Sequence, residues 1–304
     1  MIREVVPAAL DGERLDRVVA LVADVSRSAA AAVIAAGGVT VDGGSPASGK
    51  LRLREGQHVE VDPATIPRSS LPEADPDVVL HVVHDDDAVV VVDKPAGLVV
   101  HPGAGNPAGT LVNGLLASYP EIADVGDPMR PGIVHRLDAG SSGLLVVART
   151  AEAAENLIGQ FAQHRAERRY DALVWGHPAA PHGVIDAPIG RDPRDPLRMA
   201  VVADGRRART EYELLERYTR PSAVARLRCR LETGRTHQIR VHLASIGHPL
   251  VGDPTYGGRR PVLGIERPFL HAAELSFTHP NTGEPVTFTS RLPEDLSALL
   301  DSLD

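Results

Sequence analysis

The sequence predicts an α+β protein whose larger part is built on a largely antiparallel β-sheet. Short apolar runs of strand length, separated by Gly, Pro and Asp turns, recur from about residue 79 onwards. Amphipathic helix patterns are few and lie far apart in the chain. A glycine-rich segment at residues 103–109 misses the dinucleotide-binding spacing by one residue, and no repeated strand–helix–strand pattern follows it. A doubly wound parallel sheet is therefore not expected.

The composition is that of an ordinary globular protein, with 43% hydrophobic and 24% charged residues. Acidic residues occur early, where a signal peptide would need an apolar core, and no apolar run approaches the length of a membrane span. We therefore expect a cytoplasmic protein that does not contact a membrane. Cys229 is the single cysteine, which excludes an internal disulfide and a zinc site built from several cysteines.

Charge is distributed unevenly along the chain. The formal net charge of −8 argues against a protein that coats nucleic acid without selectivity. Residues 186–240, however, contain thirteen arginines and eight acidic residues. This local positive excess would suit an enzyme that acts on a selected RNA. The alternative is that arginine is simply frequent here, because the whole chain has only two lysines, Lys50 and Lys94.

Two helices are predicted near the N-terminus. Apolar residues three and four positions apart predict an amphipathic helix over residues 13–24, with a stripe formed by Leu15, Val18, Val19 and Val22. An alanine-rich helix is predicted over residues 27–36. We expect Ser26 to cap it and a pair of glycines to end it.

Strands and a linker are predicted to complete an N-terminal module. Alternating apolar residues indicate strands within 39–41 and 51–62. The following residues are rich in Pro, Ser and acid, and residues 65–78 are predicted to be a linker. The chain would thus divide into a small α/β domain over residues 1–64 and a larger domain over residues 79–304.

A glycine-rich bend near the middle of the chain presents an acidic side chain. Short apolar strands are predicted on both sides, one containing Ile133 and Val134 and the other running from Leu144 to Val147. The bend itself contains Asp138, two glycines and two serines. A carboxylate would thus be held at the mouth of a rigid core. An Asx-turn, in which Asp138 only bonds its own backbone, is the structural alternative.

Three more helices are predicted in the larger domain. One covers residues 110–118, and another follows Thr150 as N-cap and has a basic end formed by His164, Arg165, Arg168 and Arg169. The third is expected to be capped by Thr236, to be ended by Gly247, and to bury Ile239, Leu243 and Ile246. The spacings of its histidines, His237, His242 and His248, do not align on one helix face. We therefore predict packing histidines and no metal site.

The segment HRLDAGSSG, from His135 to Gly143, resembles the catalytic signature of the RluA/RluD group of RNA pseudouridine synthases. The family usually has threonine where this chain has Ser141, a change that keeps the hydroxyl group. Four further similar blocks occur in the family's order: KPAGLVVHPG from Lys94, RRYDALVWG from Arg168, LETGRTHQIRVHLASIGHPLVGDPTYGG from Leu231 and LHAAELSFTHP from Leu270. They cover most of the chain from about Val82 onwards, and the similarity is greatest to the RluD-like branch.

The N-terminal module resembles the RNA-binding domain first named for the ribosomal small-subunit protein S-four. The similar segments are RLDRVVA, SRSAAAAVIAAGGVTVDG and LREGQHVEV. The resemblance implies RNA contacts from basic residues, here Arg27, Lys50, Arg52 and Arg54. The second helix is mostly alanine where that family has several basic residues, so we expect weak RNA binding by this module alone. A packing module without an RNA role is the alternative.

The resemblance implies that the protein isomerises uridine to pseudouridine in large-subunit (23S) ribosomal RNA. By the same resemblance, Asp138 is the catalytic carboxylate and Arg240 is its ion-pair partner. Tyr170 is implied to stack on the uracil and is a candidate base for the C5 proton. Arg136 is implied to displace or replace the flipped nucleotide, and Arg235 in the basic region is a further candidate for RNA contact.

Three alternatives to this function remain at the level of the sequence. The substrate could be transfer RNA, the protein could be a non-catalytic factor that binds or assembles ribosomal RNA, or it could be a glycosidase for free nucleosides. The sequence also leaves open whether Asp138 attacks C1′, attacks the uracil ring or removes a sugar proton. We expect RNA as the partner, a monomeric protein, and no metal or organic cofactor.

Overall fold

The computed structural model describes residues 1–25, 27–66, 71–103, 106–195 and 198–304. The chain forms two compact units, Met1–Ser70 and Leu71–Asp304. The predicted cap Ser26 and part of the predicted linker, residues 67–70, lie outside the described residues. Within the described ranges, no helix is both long enough and apolar enough to cross a membrane.

The first unit contains two helices and a three-stranded antiparallel sheet. The helices are α1 (Leu15–Val22) and α2 (Arg27–Ala35), and the strands are β1 (Ile2–Val5), β2 (Val39–Val41) and β3 (His58–Val61). β3 lies between β1 and β2. Leu15, Val18 and Val19 are buried in the core of this unit, as the apolar stripe predicts.

The second unit is built on a nine-stranded sheet. Its strands are β4 (Val82–Asp85), β5 (Val89–Lys94), β6 (Ser142–Ala148), β7 (Glu167–Trp175), β8 (His182–Asp186), β11 (Arg209–Tyr218), β12 (Val224–Leu231), β13 (Leu270–Thr278) and β14 (Pro285–Thr289). Their order is β4-β5-β6-β13-β7-β12-β11-β8, and β14 also pairs with β13. Between β8 and β11, the strands β9 (Ile189–Arg191) and β10 (Met199–Val201) form a separate antiparallel pair.

All neighbouring strands of the large sheet are antiparallel except β6 and β13. The predicted α+β class with a largely antiparallel sheet is therefore confirmed. The helices of this unit are α3 (Leu111–Ser118), α4 (Ala151–Ala162), α5 (Gln238–Ser245) and α6 (Glu294–Asp301). Thr150 caps α4 as predicted, because its side chain accepts a hydrogen bond from the Ala153 amide.

Two helix boundaries differ from the prediction. Helix α4 ends before its expected basic residues: His164 has a left-handed φ of 58°, and Arg168 and Arg169 belong to β7. The N-cap of α5 is His237, one residue after the predicted Thr236, and the Gln238 side chain bonds back to the preceding turn. The sequence gives no sign of either change, since arginine and threonine are compatible with both conformations.

Fewer residues of the α5 region are buried than predicted. Ile239 and Leu243 are buried, whereas Ile246 is 39% exposed. Ile246 already lies past the last helical residue, so it no longer continues the helical stripe.

The predicted strand before Asp138 does not form. One edge of β6 is fully paired with β5, and the other is shared by β13 and the chain segment 132–135. That segment makes one bridge to β6, between Ile133 and Val147. The amide of Val146 donates instead to the His135 side chain, where a paired strand would offer a backbone carbonyl. The prediction of a strand before Asp138 was wrong, because the segment pairs with β6 at Ile133 only and the His135 side chain, not a backbone carbonyl, accepts the Val146 amide.

Gly143 marks the closest approach of β6 to β13. Its φ is +111°, and a Cβ at this position would lie 2.4 Å from the carbonyl oxygen of Ala272. A side chain would therefore strain the backbone and collide with the neighbouring strand. We predict that Gly143→Ala lowers the free energy of unfolding by about 2–5 kcal/mol, measured by urea denaturation.

Gly159→Ala is the matched control, because Gly159 lies inside α4 and a Cβ there would meet no atom within 4 Å. This variant should raise the free energy of unfolding by up to about 1 kcal/mol. Equal stabilities of the two variants would contradict the account of the β6–β13 contact.

Candidate active site

A cavity of about 280 Å³ lies in the second unit. Its walls come from the chain before β6, the end of α4, the start of β7 and the loop that leads into α5. It is lined by five of the residues predicted from the sequence, namely Arg136, Asp138, Tyr170, Arg235 and Arg240. The four others, Arg27, Lys50, Arg52 and Arg54, belong to the first unit.

The guanidinium of Arg240 binds two carboxylates. Its Nη1 lies 3.3 Å from Oδ2 of Asp138, and its Nε and Nη2 lie 2.7 and 2.9 Å from the two carboxylate oxygens of Asp253. Nη2 also donates to Thr255 Oγ1, at 3.0 Å. The predicted pair of Asp138 and Arg240 is thus brought together, but the shorter, bidentate contact is with Asp253.

Asp253 is a site residue that the sequence reasoning missed. It is fully buried, and its Oδ1 also accepts hydrogen bonds from the amides of Thr255 and Tyr256. Burial alone would lower the pKa of Arg240, but Asp253 and Asp138 outweigh burial and raise it. Arg240 therefore stays charged, and Asp253 fixes the direction in which its remaining nitrogen points.

Lys94 secures the bend behind Asp138. Its side chain is fully buried, and its ammonium donates to the carbonyl oxygens of Pro95, Leu98 and Ala139. The Gly97 amide also donates to Ala139, at 2.7 Å. Burial lowers the pKa of Lys94 to about 8, although the charge of Asp138 opposes this. Two donors, the Lys94 ammonium and the Gly97 amide, therefore hold Ala139, the residue that follows Asp138.

His237 is the second neighbour of the acid. Its Nε2 lies 4.0 Å from Asp138 Oδ2, and its Nδ1 lies 2.9 Å from the Tyr256 hydroxyl. Burial lowers the pKa of His237, and Asp138 only partly opposes this. Its backbone has a left-handed φ of 56°, uncommon outside glycine, which places the ring at the turn before α5. The site therefore contains a neutral imidazole beside the carboxylate.

Tyr170 lies in the wall of the cavity on strand β7 and is 5% exposed. Burial raises the pKa of its phenol, and the nearby Arg168 only partly opposes this. A phenol that stays protonated at neutral pH is a poor base in the free protein. The geometry therefore favours the stacking role over the base role for Tyr170.

The remaining predicted residues differ in how they are held. Arg136 is exposed at the rim of the cavity, whereas Arg235 donates from Nε to the carbonyl oxygen of Arg207. In the first unit, Arg27 pairs with the buried Asp16, and Arg52 donates to the carbonyl oxygen of Gly12. Lys50 and Arg54 are exposed. Two of the four basic residues expected to contact RNA, Arg27 and Arg52, thus bind other groups of this unit.

The histidines of the α5 region bond to the protein. His242 lies 2.9 Å from both Thr210 Oγ1 and the Ala187 carbonyl oxygen, and His248 lies 2.9 Å from the Trp175 carbonyl oxygen. In the parts of the chain that the structure describes, no group of three His, Cys, Asp or Glu side chains is arranged to hold a metal ion.

His135 also belongs to the cavity wall, and the sequence reasoning gave it no role. Its Nε2 accepts a hydrogen bond of 3.0 Å from the Val146 amide. The residue as a whole is only partly buried, but its Nδ1 is fully enclosed. Burial lowers the pKa of His135 to about 3, and the charge of Arg168 acts in the same direction. The ring is therefore neutral at physiological pH.

Fold and site together define a class of RNA-modifying enzyme. Residues 88–245 match the family model described as RNA pseudouridylate synthase. Since this match spans more than half of the chain, the chain belongs to that family. It is thus a pseudouridine synthase, an isomerase, as the sequence resemblance implied.

Individual relatives agree with this assignment. An uncharacterized RNA pseudouridine synthase of Chloroflexus aurantiacus is 50% identical, over 98% of this chain and 92% of the relative. A ribosomal large subunit pseudouridine synthase D of Xanthomonas campestris is 46% identical, over 98% of this chain and 91% of the relative. Among solved structures, human RNA pseudouridylate synthase domain containing 1 has a TM-score of 0.58 at 28% identity, covering 75% of this chain and 90% of that chain.

Because His135 is neutral in the folded protein, we predict that the free energy of unfolding falls at acidic pH. In the unfolded chain this histidine takes up a proton near pH 6.5, whereas in the folded protein it does so only near pH 3. The unfolded state therefore binds more protons between these values, and stability is lost as the pH falls. Between pH 6.5 and pH 5, the proton uptake by His135 in the unfolded state should lower the free energy of unfolding by roughly 2 kcal/mol.

The test compares urea denaturation of wild type and His135→Gln at pH 7 and pH 5. Glutamine can still accept the Val146 hydrogen bond through its carbonyl oxygen but has no group that titrates in this range. We expect the variant to lose less stability than wild type over this interval. The same loss in both proteins would show that His135 is not buried in the neutral form.

Proposed function

We propose that this protein converts uridine to pseudouridine in large-subunit ribosomal RNA, with Asp138 as the catalytic carboxylate. The observation that carries the proposal is the carboxylate of Asp138 beside Arg240 in a cavity that Tyr170 also lines. At about 280 Å³, the cavity is just below the roughly 300–1,000 Å³ usual for small-ligand sites. A single base is a ligand of suitable size.

The reaction moves one glycosidic bond and loses no atoms from the nucleotide overall. As the bond between N1 and C1′ breaks, its electron pair stays with the uracil and C1′ becomes electron-deficient. Asp138 can form a bond to C1′ or take a proton from the sugar, so either route uses the same carboxylate. The uracil then rotates and C5 bonds to C1′, either as the bond between Asp138 and C1′ breaks or, on the other route, as Asp138 returns its proton to the sugar. The C5 proton leaves, and N1 gains a proton.

The target base must leave its stack before this chemistry can occur. Arg136, exposed at the rim, is suited to fill the space that the base vacates, because a flat guanidinium can stack among bases. Tyr170 supplies an aromatic surface inside the cavity for the uracil. This arrangement gives the three residues separate roles in opening the RNA, holding the base and performing the chemistry.

Ribosomal RNA is the preferred substrate because relatives named ribosomal large subunit pseudouridine synthase D are 42–46% identical to this chain over nearly its full length. Transfer RNA is not favoured by these relatives. An assembly factor without catalysis is not favoured either, because the acid, the arginine and the tyrosine line one cavity.

The proposal extends to the rest of the protein. The first unit serves as an S-four-type RNA-binding module, with Lys50 and Arg54 exposed to meet phosphates. We also propose that the enzyme is a monomer. A ribosomal RNA substrate favours a cytoplasmic location.

The decisive variant is Asp138→Asn, which keeps the shape of the side chain and removes its charge. We expect the rate of pseudouridine formation in a large-subunit ribosomal RNA transcript to fall by at least about 1,000-fold. Release of tritium from C5 of labelled uridine measures this rate directly. RNA affinity and thermal unfolding should stay close to those of wild type.

Asp124→Asn is the control, because it removes a carboxylate at an exposed position outside the cavity. It should retain the wild-type rate. A wild-type rate in Asp138→Asn would refute the assignment of the catalytic carboxylate. Release of free uracil by the wild-type protein would instead indicate a glycosidase.

A further inference from the structure

Two buried nitrogen donors in the cavity wall have no hydrogen-bond acceptor among the residues that the structure describes. They are Nε of Arg168 and Nδ1 of His135. The second is a donor because Nε2 of the same ring accepts the Val146 amide, so the neutral ring carries its proton on Nδ1. Buried polar groups are normally paired, and each exception requires an explanation.

Arg168 is the more unusual of the two. It is 7% exposed, and across the described ranges its guanidinium has no carboxylate within 4.0 Å. The guanidinium carbon lies 5.0 Å from the ring centre of Phe161, and a Cβ on Gly234 would lie 2.7 Å from its Nη1. Burial lowers the pKa of Arg168. A buried cation without a protein counter-ion is costly to the fold, unless a ligand supplies the negative charge.

This cation lies beside the surface that is proposed to hold the base. Arg168 and Tyr170 are two residues apart on β7, so both point to the same side of the strand, and both line the cavity. The His135 ring lies 4.7 Å from the Phe161 ring, which places it on the same wall as Arg168. This part of the cavity wall therefore offers nitrogen donors and one uncompensated positive charge.

We propose that the guanidinium of Arg168 binds an anionic oxygen of the target nucleotide, namely a carbonyl oxygen of the uracil after its bond to C1′ breaks. This inference rests on the proposed function. The electron pair that stays with the uracil is shared by N1, O2 and O4, so negative charge appears on oxygens that are neutral in uridine. Donors that are already positioned at such oxygens stabilise the transition state more than the bound substrate. They therefore raise the rate of the reaction more than the affinity for the substrate.

A backbone phosphate is the other anionic oxygen that the nucleotide carries. The depth of Arg168 in the cavity favours the base, because the phosphates of a flipped nucleotide remain with the RNA strand outside. Arg240 cannot take the same role, since Asp253 and Asp138 already compensate its charge. Arg168 is thus the buried cation of this cavity that remains available for the charge of the leaving uracil.

The test uses Arg168→Met under single-turnover conditions with saturating enzyme and a large-subunit ribosomal RNA transcript labelled at C5 of uridine. We expect the rate constant to fall by about 100- to 1,000-fold, as for loss of one donor to a developing oxyanion. The RNA dissociation constant should change by less than about twofold. Arg168→Lys keeps the charge and should recover part of the rate.

Arg169→Met is the matched control. Arg169 is the next residue on the same strand, points to the opposite face, and pairs with Glu167 and Glu274. Its loss removes the same charge from the chain without changing the cavity. The rate constant should remain within a few-fold of wild type.

A second arm separates the two sources of negative charge. If Arg168 bound a phosphate, Arg168→Met would weaken RNA binding and leave the saturated rate unchanged. A methylphosphonate in place of the phosphate beside the target uridine would then weaken RNA binding by wild type. It would not further weaken RNA binding by the variant. That result would overturn the assignment to uracil, as would an unchanged rate and affinity in the variant.

A third arm does not depend on the folding of the variant. RNA that carries 2-thiouridine or 4-thiouridine at the target position offers sulfur, a weaker acceptor than oxygen. Wild-type enzyme should convert at least one of these RNAs tenfold or more slowly than uridine RNA, and equal rates for all three would contradict the proposal. If wild-type enzyme formed no pseudouridine in unmodified RNA, the proposed function itself would fail, whatever the role of Arg168.

Discussion

The position of Arg240 between two carboxylates is the constraint on which the site depends. Asp253 takes two of its nitrogens in a bidentate contact, so the plane of the guanidinium is fixed before any substrate arrives. One nitrogen is left to meet Asp138, at the longer distance of 3.3 Å. The catalytic acid thus has a charged partner whose direction is set elsewhere. Preorganised charges of this kind need no rearrangement at the moment of reaction.

The acid itself is held by contacts on its other side. Lys94 and the Gly97 amide both bind the carbonyl oxygen of Ala139, the residue that follows Asp138. The bend leads directly into β6, which is locked against β13 at Gly143. Segments that are far apart in the chain therefore converge on one carboxylate. The tertiary structure, more than the local turn, determines where the acid points.

The sequence predicted the elements whose pattern is local. The apolar stripe of α1, the Thr150 cap of α4 and the dominance of strands can all be recognised without knowledge of distant partners. Motif residues could also be selected, because five similar blocks occur in the order of a known family. The cavity then brings Asp138, Tyr170 and Arg240 together, although they are spread over about a hundred positions of the chain.

The features that were missed depend on long-range contacts. The strand expected before Asp138 is absent because the His135 side chain accepts the Val146 amide in place of a backbone carbonyl, and no local pattern reveals this. Asp253 lies in the similar block that begins at Leu231, but the block alone does not show that its carboxylate binds Arg240. Lys94 belongs to one of the similar blocks, yet a lysine is normally exposed, so its burial could not be foreseen. The unpaired state of Arg168 likewise becomes visible only in three dimensions.

A crystal structure of Asp138→Asn bound to a ribosomal RNA fragment would test the central claim most directly, because the inactive variant should retain the uncleaved nucleotide. The account predicts that one uridine leaves its stack and enters the cavity, with its uracil against Tyr170 and its C1′ facing residue 138. A uridine that remained stacked in the RNA, with the cavity empty or filled by a phosphate, would contradict the account.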